Sequence, residues 1–135
     1  MGRAGGLIAV PLLAVGLAAC GATVSTNKFT GPAKAVAQRI ADYQKDVLAA
    51  DEKRLCNEDF ARAVRARLNT APGGCEKALK RQLGSIDAFE LTVEKIAVSG
   101  ASATATVKST WSGKPKSTTL TLVKEGKSWR IAAAG

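Results

Sequence analysis

Tyr43, with the carboxylates Asp42 and Asp46 close by in the chain, is the grouping whose types and spacing could carry acid–base chemistry. A phenol and a carboxyl can hold and pass a proton when a dry site moves their pKa values toward neutrality. The spacing works against it. On a helix Asp42 lies about 100° around from Tyr43, and Asp46, three residues on, shares only an edge of its face. Glu94 is the one strand carboxylate that could point inward, and only through a bulge. There is no histidine anywhere in the chain, and serines and threonines, though plentiful, have no base placed to activate them. Pro72-Gly73-Gly74 lacks the lysine and Ser/Thr that complete a phosphate-binding loop. Three cysteines, Cys20, Cys56 and Cys75, without histidine and without C-x-x-C spacing, offer too few ligands for a metal and no dithiol redox motif. The expectation is no metal, no cofactor and no enzyme.

The elements that would position these residues follow from periodicity. Val36, Ile40, Tyr43 and Val47 recur at helical spacing, with Lys34, Gln38, Asp42 and Lys45 on the other side. They predict a first helix from Pro32, suited to a first turn, to about Ala50. Asp51 and Glu52 can cap a second segment with the stripe Leu55, Phe60, Val64 and Leu68, which could break at Asn57. Asn69 to Gly74 is a breaker, and Leu79, Leu83 and Ile86 mark a third helix that starts near Cys75 and ends near Gly84. From Phe89 the period becomes two. Phe89, Leu91 and Val93 alternate with polar residues, and Ile96 and Val98 continue in the opposite phase, which predicts a bulge at Glu94-Lys95. Turns at Ser99-Gly100, Ser112 to Pro115 and Glu125-Gly126 divide four strands. Their inward residues are Ala103, Ala105, Val107, Ser109 and Trp111 in the second, Leu120 and Leu122 in the third, and Trp129, Ile131 and Ala133 in the last. Helices followed by an antiparallel meander with one apolar face define an α+β layer.

Ahead of this domain, Met1-Gly2-Arg3 supplies a short positive end and Leu7 to Leu17 an apolar core. That pattern suits a secretion signal and is too short for a membrane span of roughly 20 apolar residues. Leu17-Ala18-Ala19-Cys20 resembles the bacterial lipobox. The resemblance implies that residues 1–19 are a lipoprotein signal peptide, and that Cys20 becomes the mature N-terminus carrying acyl chains such as palmitate. The protein would then sit on the extracytoplasmic face of the cell membrane, firmly anchored by two or three chains. The alternative is an ordinary signal peptide with an unmodified Cys20. Residues 20–32, small, polar and without periodicity, then read as a lipidated flexible tether, and 33–135 as one domain. With Cys20 taken by lipid, Cys56 and Cys75 form an even pair in an exported chain, where a disulfide bond is expected.

The whole chain has 20 basic and 11 acidic residues, a formal net charge of +9, and loss of the leader removes only Arg3 from that excess. In an exported protein this favours an anionic lipid surface or an acidic partner over nucleic acid. Arg54, Arg62, Arg65, Arg67, Lys77, Lys80 and Arg81 gather in the helical half as a candidate contact surface. Glu58 with Arg62 and Glu76 with Lys80, each four apart, would instead make part of that face an ordinary solvated helix surface.

The first helix ending in Leu48-Ala49-Ala50-Asp51, the bulged strand from Phe89 to Val98, and Lys127-Ser128-Trp129-Arg130-Ile131 resemble the cone-shaped NTF2-like superfamily and its small secreted lipoproteins. The resemblance spans roughly residues 33–133. It departs where many members have a strand or hairpin between the second and third helices, since Pro72-Gly73-Gly74 leaves little room. It implies a pocket between the curved sheet and the helices, with Tyr43, Phe60, Phe89, Trp111 and Trp129 as candidate lining, each of which could equally be plain core. The function expected is a non-catalytic binding or accessory module of the cell envelope. Its partner would be a small apolar ligand or lipid if the cone is hollow, or an envelope protein if it is filled. A ketosteroid-isomerase-like or dehydratase-like enzyme is the alternative.

Overall fold

The structure, a computed structural model, describes residues 24–86, 88–111 and 114–135, without the side chain of Trp111. Residues 1–19, expected as a signal peptide, and Cys20 lie outside the described residues. Four helices precede four strands: α1 Pro32–Leu48, α2 Glu52–Arg54, α3 Arg62–Leu68, α4 Gly74–Leu83, β1 Phe89–Ser99, β2 Ser102–Trp111, β3 Lys114–Glu125 and β4 Ser128–Ala134. The strands form one antiparallel sheet in the order β1-β2-β3-β4. This is the expected α+β meander with helices laid on its apolar face. No helix among the described residues is long and apolar enough to cross a membrane.

The apolar face of the sheet is built from Leu91 and Val93, Ala103, Ala105 and Val107, Leu120 and Leu122, and Trp129 and Ile131, all buried. α1 places Val36 and Ile40, both at 0 % exposure, into the same core. Small alanines at the centre of β2 leave room for that helix while the long side chains lie to either side. The register of β1 against β2 shifts between Val93 and Lys95, so the bulge falls where the change of phase predicts it. A second shift between Thr121 and Leu122 pairs Leu122 with Ile131 but Thr121 with Ala133. It turns Ala133 out of the core, contrary to the inward position expected from simple alternation. Lys114 and Pro115 belong to β3 instead of the turn before it; proline is tolerated there because it lies near the start of the strand.

The second helical segment is more broken than its stripe predicts. Asp51 caps α2 by accepting from Arg54 N at 3.0 Å. The chain then makes a π-helical turn, Leu55–Asp59, and becomes extended at Phe60 and Ala61 before α3. The break falls there and not at Asn57 because Phe60 bridges Ile131 in parallel and Ala61 N donates to Ile131 O at 2.8 Å. This one-residue bridge covers the outer edge of β4, which would otherwise present unpaired groups. It also takes Arg62 out of helical register with Glu58, whose carboxylate meets Arg54 instead at 3.5 Å.

Gly73 and Gly74 both adopt left-handed conformations, and a side chain at Gly73 would run into Lys77. With no capping side chain at Gly73, α4 takes its cap from Asn69, whose Oδ1 accepts from Cys75 N at 3.0 Å. Cys75, thus placed, is joined to Cys56 in the expected disulfide. The bond staples the π turn to α4 around a second, smaller core of Val47, Leu55, Leu79 and Leu83.

The segment before α1 differs from a free tether. Val24 is only 6 % exposed and belongs to the main core, Phe29 packs against that core, and Phe29 N donates to Thr26 O at 3.2 Å. Two apolar side chains among small polar ones, without periodicity, gave no sequence signal of docking, yet their burial is favourable enough to fix the segment.

Candidate functional site

The four aromatic side chains described, of the five expected around a pocket, separate. Tyr43 from α1, Phe60 from the bridge and Phe89 from β1 come together, with ring centroids 6.0 Å apart for Tyr43–Phe60 and 5.8 Å, edge to face, for Tyr43–Phe89. They line a cavity of about 170 Å³ whose other walls are Val47, Leu55, Leu79, Leu83 and Ile86, with Gln82 adding an amide. Trp129 is buried in the main core, 5 % exposed, and borders a different and more open groove near the start of α1. Trp111 closes β2, and its side chain lies outside the described residues. Among the described side chains the candidate pocket therefore holds three of these aromatics, and Trp129 belongs to the packing of the sheet.

The cavity exists because the two cores meet imperfectly. Tyr43, Phe60 and Phe89 pack against both the sheet core and the disulfide core. Rigid rings at the junction of two packed units leave space that flexible side chains would close. Gln44, on the same helix, fixes one wall: its Oε1 accepts from Leu91 N at 2.7 Å in a buried position. This bond satisfies the edge of β1 and holds α1 to the strand that carries Phe89.

Behind the aromatic wall is a polar node that periodicity did not reveal. Asp59 is wholly buried and accepts from Arg39 Nη1 at 2.8 Å, while Arg39 Nε donates to Trp129 O at 2.8 Å. Asp46 is also buried, at 4 % exposure, and faces Arg54 at 3.8 Å. Sequence spacing placed Asp46 at the edge of the Tyr43 face; instead it turns inward toward Asp59. Burial pushes the Asp59 carboxyl up to about 7, and its hydrogen bond with Asp46 pushes the same way, against the pull of Arg39. Oδ2 of Asp59 has no donor within reach. A proton on Asp59 relieves the two neighbouring carboxylates of mutual repulsion. Burial, and secondarily the charge of Asp59, raises the Tyr43 hydroxyl as well. Arg39, Gln44 and Asp59 were missed as site residues. The available signal was a set of charges on apolar stripes: Arg39 is three after Val36, Asp46 three after Tyr43, and Asp59 four after Leu55.

Asp42, the other expected carboxylate, lines a small polar recess with Lys45, Asp46, Arg54 and Glu58, outside the aromatic cavity. Among the described residues no cluster of His, Cys, Asp or Glu is placed to hold a metal ion. Of the seven basic residues expected as a contact surface, Arg54 is engaged with Asp46 and Glu58. Arg81 reaches Pro72 O at 3.4 Å, and Arg62, Arg67, Lys77 and Lys80 are exposed, with Arg65 partly so.

The match to known proteins is one of architecture. Residues 75–135, α4 and the whole sheet, match the family described as "Putative lumazine-binding". No curated protein matches the chain. An NTF2-like protein of unknown function from Silicibacter pomeroyi DSS-3 is similar in structure at a TM-score of 0.53 and 16% identity, over 74% of this chain and 89% of that one. An NTF2-like protein of unknown function from Shewanella baltica OS155 gives 0.53 at 15% identity, over 78% and 94%. The chain thus has the NTF2-like fold, as the bulged strand and the tryptophan strand led one to expect.

Proposed function

We propose that this protein is a membrane-anchored, extracytoplasmic lipoprotein whose domain is a non-catalytic binding module for a small apolar molecule, a flat ring or a short acyl segment. The observation that carries the reading is the cavity of about 170 Å³ walled by Tyr43, Phe60 and Phe89. Apolar cavities of about 150 Å³ stay dry and accept a single aromatic ring, and drug-sized ligands need about 300 Å³ or more. The Gln82 amide and the Tyr43 phenol supply the few polar groups that orient a ligand in an otherwise greasy site. The family described as lumazine-binding covers α4 and β1, and so several residues of the wall, which supports a planar ring. A protein partner is the weaker reading of the domain, because Leu48 is the one large apolar residue found exposed among the described residues.

Catalysis of the isomerase or dehydratase kind would rest on Asp59, the carboxyl with the most displaced proton affinity. It is enclosed behind Phe60 and does not line the cavity, so a molecule bound there would not touch it. Anchoring rests on the lipobox residues and is tested separately: Cys20→Ser should move the chain from the membrane to the soluble fraction.

The test of binding is thermal unfolding of the full chain with indole, lumazine and hexanoate as probes, beside native mass spectrometry of the untreated protein. A rise in Tm with at least one probe, lost in Leu83→Phe, which fills the cavity, supports the module. A folded chain that carries no extra mass and gains no stability from any of the three would overturn it.

A further inference from the structure

We infer that the domain is held end-on at the bilayer, with the side bearing residues 24–31 turned to anionic phospholipid headgroups, and does not swing on a leash. The inference rests on the lipid anchor proposed for Cys20. Val24 is buried in the main core, so only four residue steps separate Cys20 from a fixed point of the domain. Fully extended, they reach about 14 Å. β1 alone has 11 residues, roughly 37 Å of strand at the usual rise. A link shorter than half a strand leaves one side of the domain able to meet the membrane and carries the opposite end of the sheet away from it.

The side so selected suits an anionic surface. From Val24 the chain runs to Thr30 and Pro32, which border an open groove with Ile96, Val98, Lys124 and Trp129. The β1–β2 turn meets this region, since Lys124 N donates to Ala101 O at 2.8 Å. Lys28, Lys124 and, in the adjoining β3–β4 turn, Lys127 are exposed. Glu125, the carboxylate in that turn, is occupied by Arg62 N at 3.0 Å and by Arg130 at 3.6 Å. Lys124 on the groove, with Lys28, whose ammonium lies over the Phe29 ring, and Lys127 exposed on the adjoining segments, sets positive charge beside an apolar floor and matches a layer of phosphate headgroups over acyl chains.

The test uses the full chain, exported and processed by a bacterial host, in vesicles of phosphatidylglycerol and phosphatidylcholine doped with a nitroxide-headgroup lipid. A fluorophore is placed through Ala101→Cys or, at the opposite end of the sheet, through Lys116→Cys. Quenching at position 101 should exceed that at 116 severalfold. The difference should fall when a long Gly/Ser insert separates Ala22 from Thr23, and fall further when Lys28→Glu, Lys124→Glu and Lys127→Glu are added. The intact mass of the same preparation reports acylation of Cys20. Acylated chain with equal quenching at the two positions overturns the orientation and leaves the anchor standing. A chain without acyl mass overturns the anchor, and the orientation with it.

Discussion

Asp59 carries the clearest pH signature in the molecule. Its carboxyl titrates near 7 in the folded state because it is buried and shares a hydrogen bond with Asp46, whereas in the unfolded chain an aspartate titrates near 3.9. Between these values the folded protein keeps a proton that the unfolded chain has released. Stability therefore falls as pH rises from about 4 through about 7, and the contribution levels off above that. Asp59→Asn retains an acceptor for Arg39 and supplies a donor to Asp46 without titrating, so its urea midpoint should lose this decline. An unchanged slope between about pH 4.5 and pH 7.5 in the Asn variant would remove the shared proton from the account. Such a node escapes a reading by periodicity because stripes are recognised by apolar residues. Arg39, Asp46 and Asp59 occupy inward positions as ionisable groups, tolerated only because each finds a partner that the chain supplies from 8 to 90 residues away, as Arg39 does at Asp59 and at the Trp129 carbonyl.

At the scale of elements, the sheet was legible and the helical layer only partly so. Alternation fixes which face of a strand is apolar, and the change of phase after Val93 placed the bulge near Glu94-Lys95, where the register shifts, because both consequences are local to the chain. The shift at Thr121 was invisible: Ala132, Ala133 and Ala134 have no polarity contrast to betray a change of face. The break at Phe60 and Ala61 is a tertiary event, since the β4 edge takes a hydrogen bond from a chain that could otherwise have stayed helical. The disulfide compensates for the smallness of the core beneath these short helices. Removing it with Cys56→Ser and Cys75→Ser together should cost about 3 kcal/mol for a loop of this length, measured by urea unfolding. Asn69→Ala, which deletes the cap on Cys75 N, should cost about 1 kcal/mol. A double cysteine variant as stable as the parent would mean that the π turn and α4 are held by packing alone.

For the whole molecule, the decisive feature is that two cores share three aromatic side chains. The sheet core is broad and is crossed by α1; the disulfide core is small and lies between the end of α1 and the short helical segments that follow it. Tyr43, Phe60 and Phe89 belong to the rim of both, so they both create the cavity and transmit cooperativity from one unit to the other. Phe60→Ala removes one of the three while leaving the backbone bridge to Ile131 available. For a ring only partly buried, the loss should be about 2–3 kcal/mol, below the range for fully buried phenylalanine. The loss should also be unevenly spread. Amide exchange in α3 and α4 should quicken through local opening while the centre of β2 and β3 keeps the protection set by global unfolding. The disulfide would keep the opened helices near the π turn, so the change should appear in exchange more than in overall dimensions. A ligand that occupies the cavity should reverse it, because contacts with the remaining walls from α1, α4 and β1 restore the link between the units, and mass action then favours the closed form. If Phe60→Ala instead accelerated exchange uniformly across helices and sheet, the two cores would be a single cooperative unit, and the cavity between them would be a packing defect without mechanical consequence.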